Sequence, residues 1–93
     1  MRHETVIHVA HAMGRKNGVH YRARAYAVTP FGAKCSFTIV IDDSPTEAER
    51  EAIRHVKDMY RRDGLPVPYR VISHGRMSGA LVDNFKFGER VHV

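Results

Sequence analysis

The sequence predicts an α+β fold in one domain spanning residues 1–93: a small antiparallel sheet, elements in the order β-β-β-α-β-β-β, with one helix packed on one face. Three observations carry this expectation. Residues from Val19 to Ile41 alternate in two runs around a Pro-Phe-Gly turn, which is strand periodicity. A single segment between Ser44 and Gly64 has helical spacing and helical start and stop signals. Beyond it, prolines and glycines cut the chain into short extended runs.

The first strand is expected over Glu4 to Ala12, with Thr5, Ile7 and Val9 on one parity and Val6, His8 and Ala10 on the other. A wide turn at Gly14-Arg15-Lys16-Asn17-Gly18 leads into the second strand and places Ile7 and Val9 on its alanine face. For the second hairpin, Pro30-Phe31-Gly32 reads as a three-residue loop, with Gly32 supplying the positive φ. That loop sets Thr29 opposite Ala33 and, stepping outward, Ala27 opposite Cys35, Ala25 opposite Phe37, Ala23 opposite Ile39 and Tyr21 opposite Ile41. One face is then apolar, a shallow trough that a helix can approach closely, and Cys35 is a small buried hydrophobe on it. The other face carries His20, Arg22, Arg24, Tyr26, Ser36 and Thr38 and is expected to be open and basic.

The helix is expected over Pro45 to Arg62. Ser44 is the N-cap, Pro45 sits at the first helical position, and Glu47 completes a capping box. Ala48, Ala52, Ile53, Val56, Met59 and Tyr60 form its apolar stripe, and acids in the first turns with Arg61 and Arg62 in the last suit the helix dipole. Leu65-Pro66-Val67-Pro68 then reads as an extended connector, and Tyr69 to Ser73 as a fourth strand. His74 to Gly79, with two glycines, reads as a loop. Leu81 to Phe87 and Arg90 to Val93 read as a last hairpin with Phe85, Phe87, Val91 and Val93 on one face, a surface suited to homodimerisation.

The formal net charge of +5 is unevenly placed. Residues 1 to 41 hold Arg2, Arg15, Lys16, Arg22, Arg24 and Lys34 against Glu4 alone, whereas residues 42 to 63 are net acidic. Guanidiniums with a tyrosine and hydroxyls on a sheet face make a platform for nucleic acid. The expected function is therefore a small basic non-enzymatic binding domain for nucleic acid or another polyanion. Its contacts are Arg22, Arg24, Tyr26 and His20 on the face, with Arg15, Lys16 and Lys34 beside them. Gly75, Arg76 and Gly79 form a second, weaker candidate, a loop whose converging N–H groups could hold phosphate. The alternative is a protein-interaction or homodimerisation module meeting an acidic protein.

Other chemistries find little support in the pattern. Ser73, His74 and Ser78 share a loop, but adjacent residues rarely meet as nucleophile and base, and no acid in that loop orients the imidazole. Seven histidines include His8-x-x-His11, yet residues three apart on a strand point to opposite faces, so no metal site is expected. Protonation of histidines among the arginines would strengthen the positive field, which makes partner affinity pH-dependent. Asp42 and Asp43 serve the helix start. No cofactor is expected, a single cysteine excludes an internal disulfide, and no run has a membrane span's length, so the expected compartment is a reducing cytoplasm.

Three strands followed by a helix, over about residues 5 to 63, resemble in architecture the second half of a double-stranded-RNA-binding domain and the small arm-binding modules of integrases. The helix departs from the first of these by opening with Glu47, Glu49 and Glu51 where phosphate contacts would want basic residues.

Overall fold

The computed structural model describes residues 4–29 and 32–84, with side chains described outside 29–40. Its elements are β1 (Val6–Gly14), β2 (His20–Thr29), β3 (Gly32–Asp42), α1 (Pro45–Arg62), β4 (Arg70–Arg76) and α2 (Gly79–Asn84). The sheet runs in the order β3-β2-β1-β4. The first three strands form an antiparallel meander, while β4 lies parallel to β1. The fold is thus α+β as expected, but its sheet is mixed. A parallel neighbour needs a crossover, and α1 supplies it by carrying the chain from the end of β3 over the sheet to the start of β4. The carboxyl ends of β1 and β4 and the amino end of α1 consequently meet at one end of the sheet.

Helix α1 forms where the sequence places it. Ser44 is extended and its Oγ accepts from the Glu47 amide at 3.3 Å. The reciprocal half of the capping box is supplied differently: the Ser44 amide donates to Asp42 Oδ1 at 3.1 Å, and Glu47 pairs with Arg50 at 2.9 Å. Asp42 is held below the usual carboxylate range chiefly by a hydrogen bond with the Asp43 side chain and by this Ser44 amide. At the other end Leu65 donates to the Tyr60 carbonyl at 3.0 Å, and Gly64 takes a φ of 70°, which a residue with a Cβ reaches only under strain.

The main core lies between α1 and one sheet face. Ile7, Val9, Ala23, Ala25 and Ala27 meet Ala48, Ala52, Val56 and Tyr60, with Tyr21, Ile53, Val67 and Val71 around them. Five of these nine buried residues are alanines, so the helix sits close to the strands; burying Val56 alone is worth about 1.5–3 kcal/mol. Ile7 and Val9 do join the alanine face. The β1–β2 connection runs from Arg15 to Val19, with Gly14 paired to His20 and with Asn17 and Gly18 at φ of 59° and 105°.

The expected register of the second hairpin is not the observed one. Thr29 pairs with Gly32, Val28 with Ala33 and Ala27 with Lys34, across a two-residue connection. A bulge then leaves Cys35 and Ser36 without partners, and the ladder resumes with Tyr26 opposite Phe37, Ala25 opposite Thr38, Ala23 opposite Val40 and Tyr21 opposite Asp42. The expected pairing lies one residue away from each half. Loop length fixes register only along an unbroken ladder, and here the bulge absorbs two residues. Pro30 and Phe31 fall outside the described residues, as do the side chains of Lys34 and Cys35.

Two further expectations are corrected. His74, Gly75 and Arg76 are not a loop but the end of β4, kept in the ladder by a bulge against β1. The run from Leu81 is not a strand: Gly79–Asn84 is α2, which lies on the sheet face opposite α1. There Val82 is fully buried among Ala10, Ala12, Tyr26 and Val28, with Met77 alongside. Ala10, Ala12 and Val28 beside Tyr26 leave a shallow apolar patch there, which the six-residue helix covers. The remaining residues of the expected C-terminal hairpin, 85–93, lie outside the description, and with them the dimer surface.

Candidate ligand cleft at the carboxyl ends of β1 and β4

On β1 the residues facing α1 are Ile7, Val9 and, at the end of the series, His11. Register places Ser73 beside Val9, so it faces α1 too. Between this pair and the next, His11 with Arg76, β4 carries one residue more than β1. The bulge is shaped by Gly75 at φ 70°, whose amide donates to Ser73 Oγ at 3.3 Å. From α1, Glu49 reaches down to both strands.

Glu49 closes the constellation. Its Oε2 lies 2.5 Å from His11 Nδ1, and its Oε1 accepts from Ser73 Oγ at 2.7 Å. The side chains of His11 and Glu49 are only 13% and 14% exposed, so this is a largely desolvated contact, stronger than its surface equivalent. With the imidazole neutral, a carboxylate that only accepts selects the tautomer with the proton on Nδ1 and leaves a lone pair on Nε2. The His11 ring is braced edge-on by Tyr21, with centroids 5.9 Å apart and planes at 79°. His11, Glu49 and Ser73 form the floor of a cleft of about 450 Å³, walled by Pro45, Thr46, Arg50, Ile53 and Gly75.

The opposite face of the same bulge carries a second pair. His74 Nε2 lies 2.9 Å from His8 Nδ1, and His8, fully buried, stacks on Tyr26 at a centroid distance of 5.8 Å. Burial pushes His74 below the ordinary imidazole value, against an opposing pull from the Glu49 charge. Ser73 and His74 thus tie β4 to α1 on one side and to β1 on the other.

The basic sheet face is not open. Arg24 is 8% exposed and Tyr26 3%, both beneath α2. Arg24 donates through Nη1 to the carbonyls of Val82 and Asp83, and burial lowers its pKa against the opposing charge of Asp83. Arg22 forks onto Asp83, Nε to Oδ1 and Nη2 to Oδ2, each at 3.2 Å. Gly79 allows that reach, because a Cβ there would meet Arg22 Nη2. His20 is half-buried, its ring over Gly14 where a Cβ would collide with it.

The loop candidates are placed differently. Arg15 and Lys16 on the β1–β2 connection and Arg76 at the end of β4 are exposed, and none is in an ion pair among the described residues. Arg76 leans on Met13, Nη1 to Sδ at 3.8 Å. These cations lie at the carboxyl ends of β1 and β4, while Arg50 lines the cleft and is paired with Glu47. The Gly75 amide is taken by Ser73, and the two glycines of the expected phosphate loop belong to different elements, β4 and α2, with Arg76 the exposed cation between them.

Among the described residues no group of three or more His, Cys, Asp or Glu side chains converges as metal ligands do, and no helix is long and apolar enough to cross a membrane. A scan against protein-family models finds no match, and searches of curated proteins and of solved structures find none either.

Sequence reasoning missed this floor because His11, Glu49 and Ser73 belong to three elements, and the parallel placement of β4 is what joins them. A signal was present: each is a polar residue on a core-facing parity, His11 after Ile7 and Val9, Ser73 after Val71, and Glu49 beside Ala48 and Ala52.

Proposed function

We propose that this chain is a small non-enzymatic binding domain for nucleic acid, and that it grips the phosphates at the cleft end of the sheet rather than on its face. The observation that supports this reading is the set of exposed cations, Arg15, Lys16 and Arg76, at the carboxyl ends of β1 and β4, the end of the sheet that holds the cleft, without carboxylate partners among the described residues. Arg22 and Arg24 are engaged by α2 and serve its docking. Free guanidiniums and ammoniums attract phosphate and release its counterions, which makes binding salt-dependent.

The test is a fluorescence-anisotropy titration of labelled single-stranded and duplex RNA and DNA at about 50 and 200 mM salt. Wild type is compared with Arg15→Ala/Lys16→Ala/Arg76→Ala and with Arg22→Ala. The triple variant is expected to bind weakly, with the slope of log K against log salt reduced by about 2 for a single strand. Arg22→Ala is expected to bind as wild type. Absence of binding by the folded wild type at low salt overturns the proposal.

A further inference from the structure

We infer that the cleft admits one ribonucleotide unit of the bound strand, its ribose 2′-hydroxyl donating to Nε2 of His11 while the adjoining phosphate stays at the strand ends beside it. The inference rests on the nucleic-acid reading and adds the kind of strand and the residue that selects it.

The floor of the cleft is short of donors. Glu49 is acceptor-only, and its two oxygens take up the Nδ1 proton of His11 and the hydroxyl proton of Ser73. With the imidazole neutral, what remains is the lone pair on His11 Nε2, the second lone pair of Ser73 Oγ and the charge of Glu49. Nε2 makes no hydrogen bond to the described residues and is not among the buried polar atoms lacking one, so it is reached from solvent. A phosphate oxygen is itself only an acceptor, and this floor repels it. A neutral hydroxyl is what the floor satisfies.

The strand ends beside it have the opposite preference, because Arg15, Lys16 and Arg76 are exposed cations without carboxylate partners among the described residues, whereas Arg50 on the cleft wall is already paired with Glu47. The matching ligand carries a hydroxyl donor next to a phosphate, and a ribonucleotide is that unit. A volume of about 450 Å³ is enough for a nucleoside, and Pro45 and Ile53 provide apolar wall for a sugar or base face. Deoxyribose has no 2′ donor, so the same cleft distinguishes RNA from DNA. The unit could come from within a strand or from a free ribonucleotide.

The experiment compares matched single strands of ribo-, deoxyribo- and 2′-fluoro sugars, the last of which accepts but cannot donate, on wild type, His11→Ala and His11→Gln, with a fold check on each. Ribo strands are expected to bind about three- to tenfold more tightly than either analogue, the range of one neutral hydrogen bond, and that preference is expected to vanish in His11→Ala with the salt slope unchanged. Equal binding of ribo and deoxy strands with a steep salt slope overturns the inference and leaves the nucleic-acid reading standing. A preference that survives both His11 substitutions overturns the assignment to His11. If no strand binds, the strand reading fails. The cleft is then tested with adenosine 5′-monophosphate by following the His11 ring protons in NMR: a saturable shift absent with the 2′-deoxy analogue supports the sugar contact, and no shift overturns it.

Discussion

Glu49 and His11, 38 residues apart in sequence, meet at 2.5 Å across the cleft floor and fix the imidazole with its protonated nitrogen toward the helix. The contact exists because a helix that crosses over the sheet returns the chain to lie beside β1. It couples the helix, the central strand and, through Ser73, the edge strand.

Replacing Glu49 by Gln exchanges a charged acceptor for an amide that can satisfy only one of its two donors as before. Glu49→Gln is expected to lower stability by about 1.5–3 kcal/mol, the range for hydrogen bonds to a charged group. Urea unfolding checks this, with a lower midpoint and an unchanged slope.

Arg22 and Asp83 form a forked but partly exposed pair, 28% and 50% accessible. A double-mutant cycle on these two residues is expected to give a coupling of no more than about 1 kcal/mol, further reduced by salt. Arg24 is different, because its guanidinium is buried against the last carbonyls of α2. Arg24→Met is expected to speed amide hydrogen exchange in α2 well before it affects α1.

Much of the fold was legible in the sequence. The helix and its cap, the alanine trough and its partner stripe follow from periodicity and from Ser44-Pro45. The hairpin register was not, because a bulge at Cys35–Ser36 leaves no trace in alternation. Nor was α2: with only Val82 fully buried, its six residues show no periodicity that separates a helical turn from a strand. That omission alone turned a covered face into an open one and moved the expected site. The site itself needed β4 beside β1, a long-range pairing that local spacing does not encode.

The alanine trough makes a prediction of its own. Ala25 is completely buried between β2 and α1, so Ala25→Leu forces the helix away from the sheet. A loss of about 1–3 kcal/mol is expected, visible as a lower thermal midpoint, whereas enlarging exposed Arg62 or Leu65 leaves the midpoint unchanged.

The His74–His8 pair sets a pH dependence. Burial lowers the folded value of His74 below the ordinary 6.5, so the folded chain declines a proton that the unfolded chain accepts. Its stabilising effect is intact above 6.5 and is lost as pH falls through 6.5 toward the lowered folded value. Urea midpoints measured from pH 7.5 to 5 are expected to fall, and less steeply in His74→Asn. Parallel curves for the two proteins would contradict this.

Nucleic acid is proposed to be gripped at the carboxyl ends of β1 and β4. The most direct measurement is an amide NMR titration of the labelled protein with a short single-stranded RNA at low salt. Saturable shifts are expected to concentrate at Met13–Val19, at Ser73–Met77 and in the first turns of α1. Shifts that instead cluster on α2 and the strand face beneath it, or on the outer face of α1, would contradict the account.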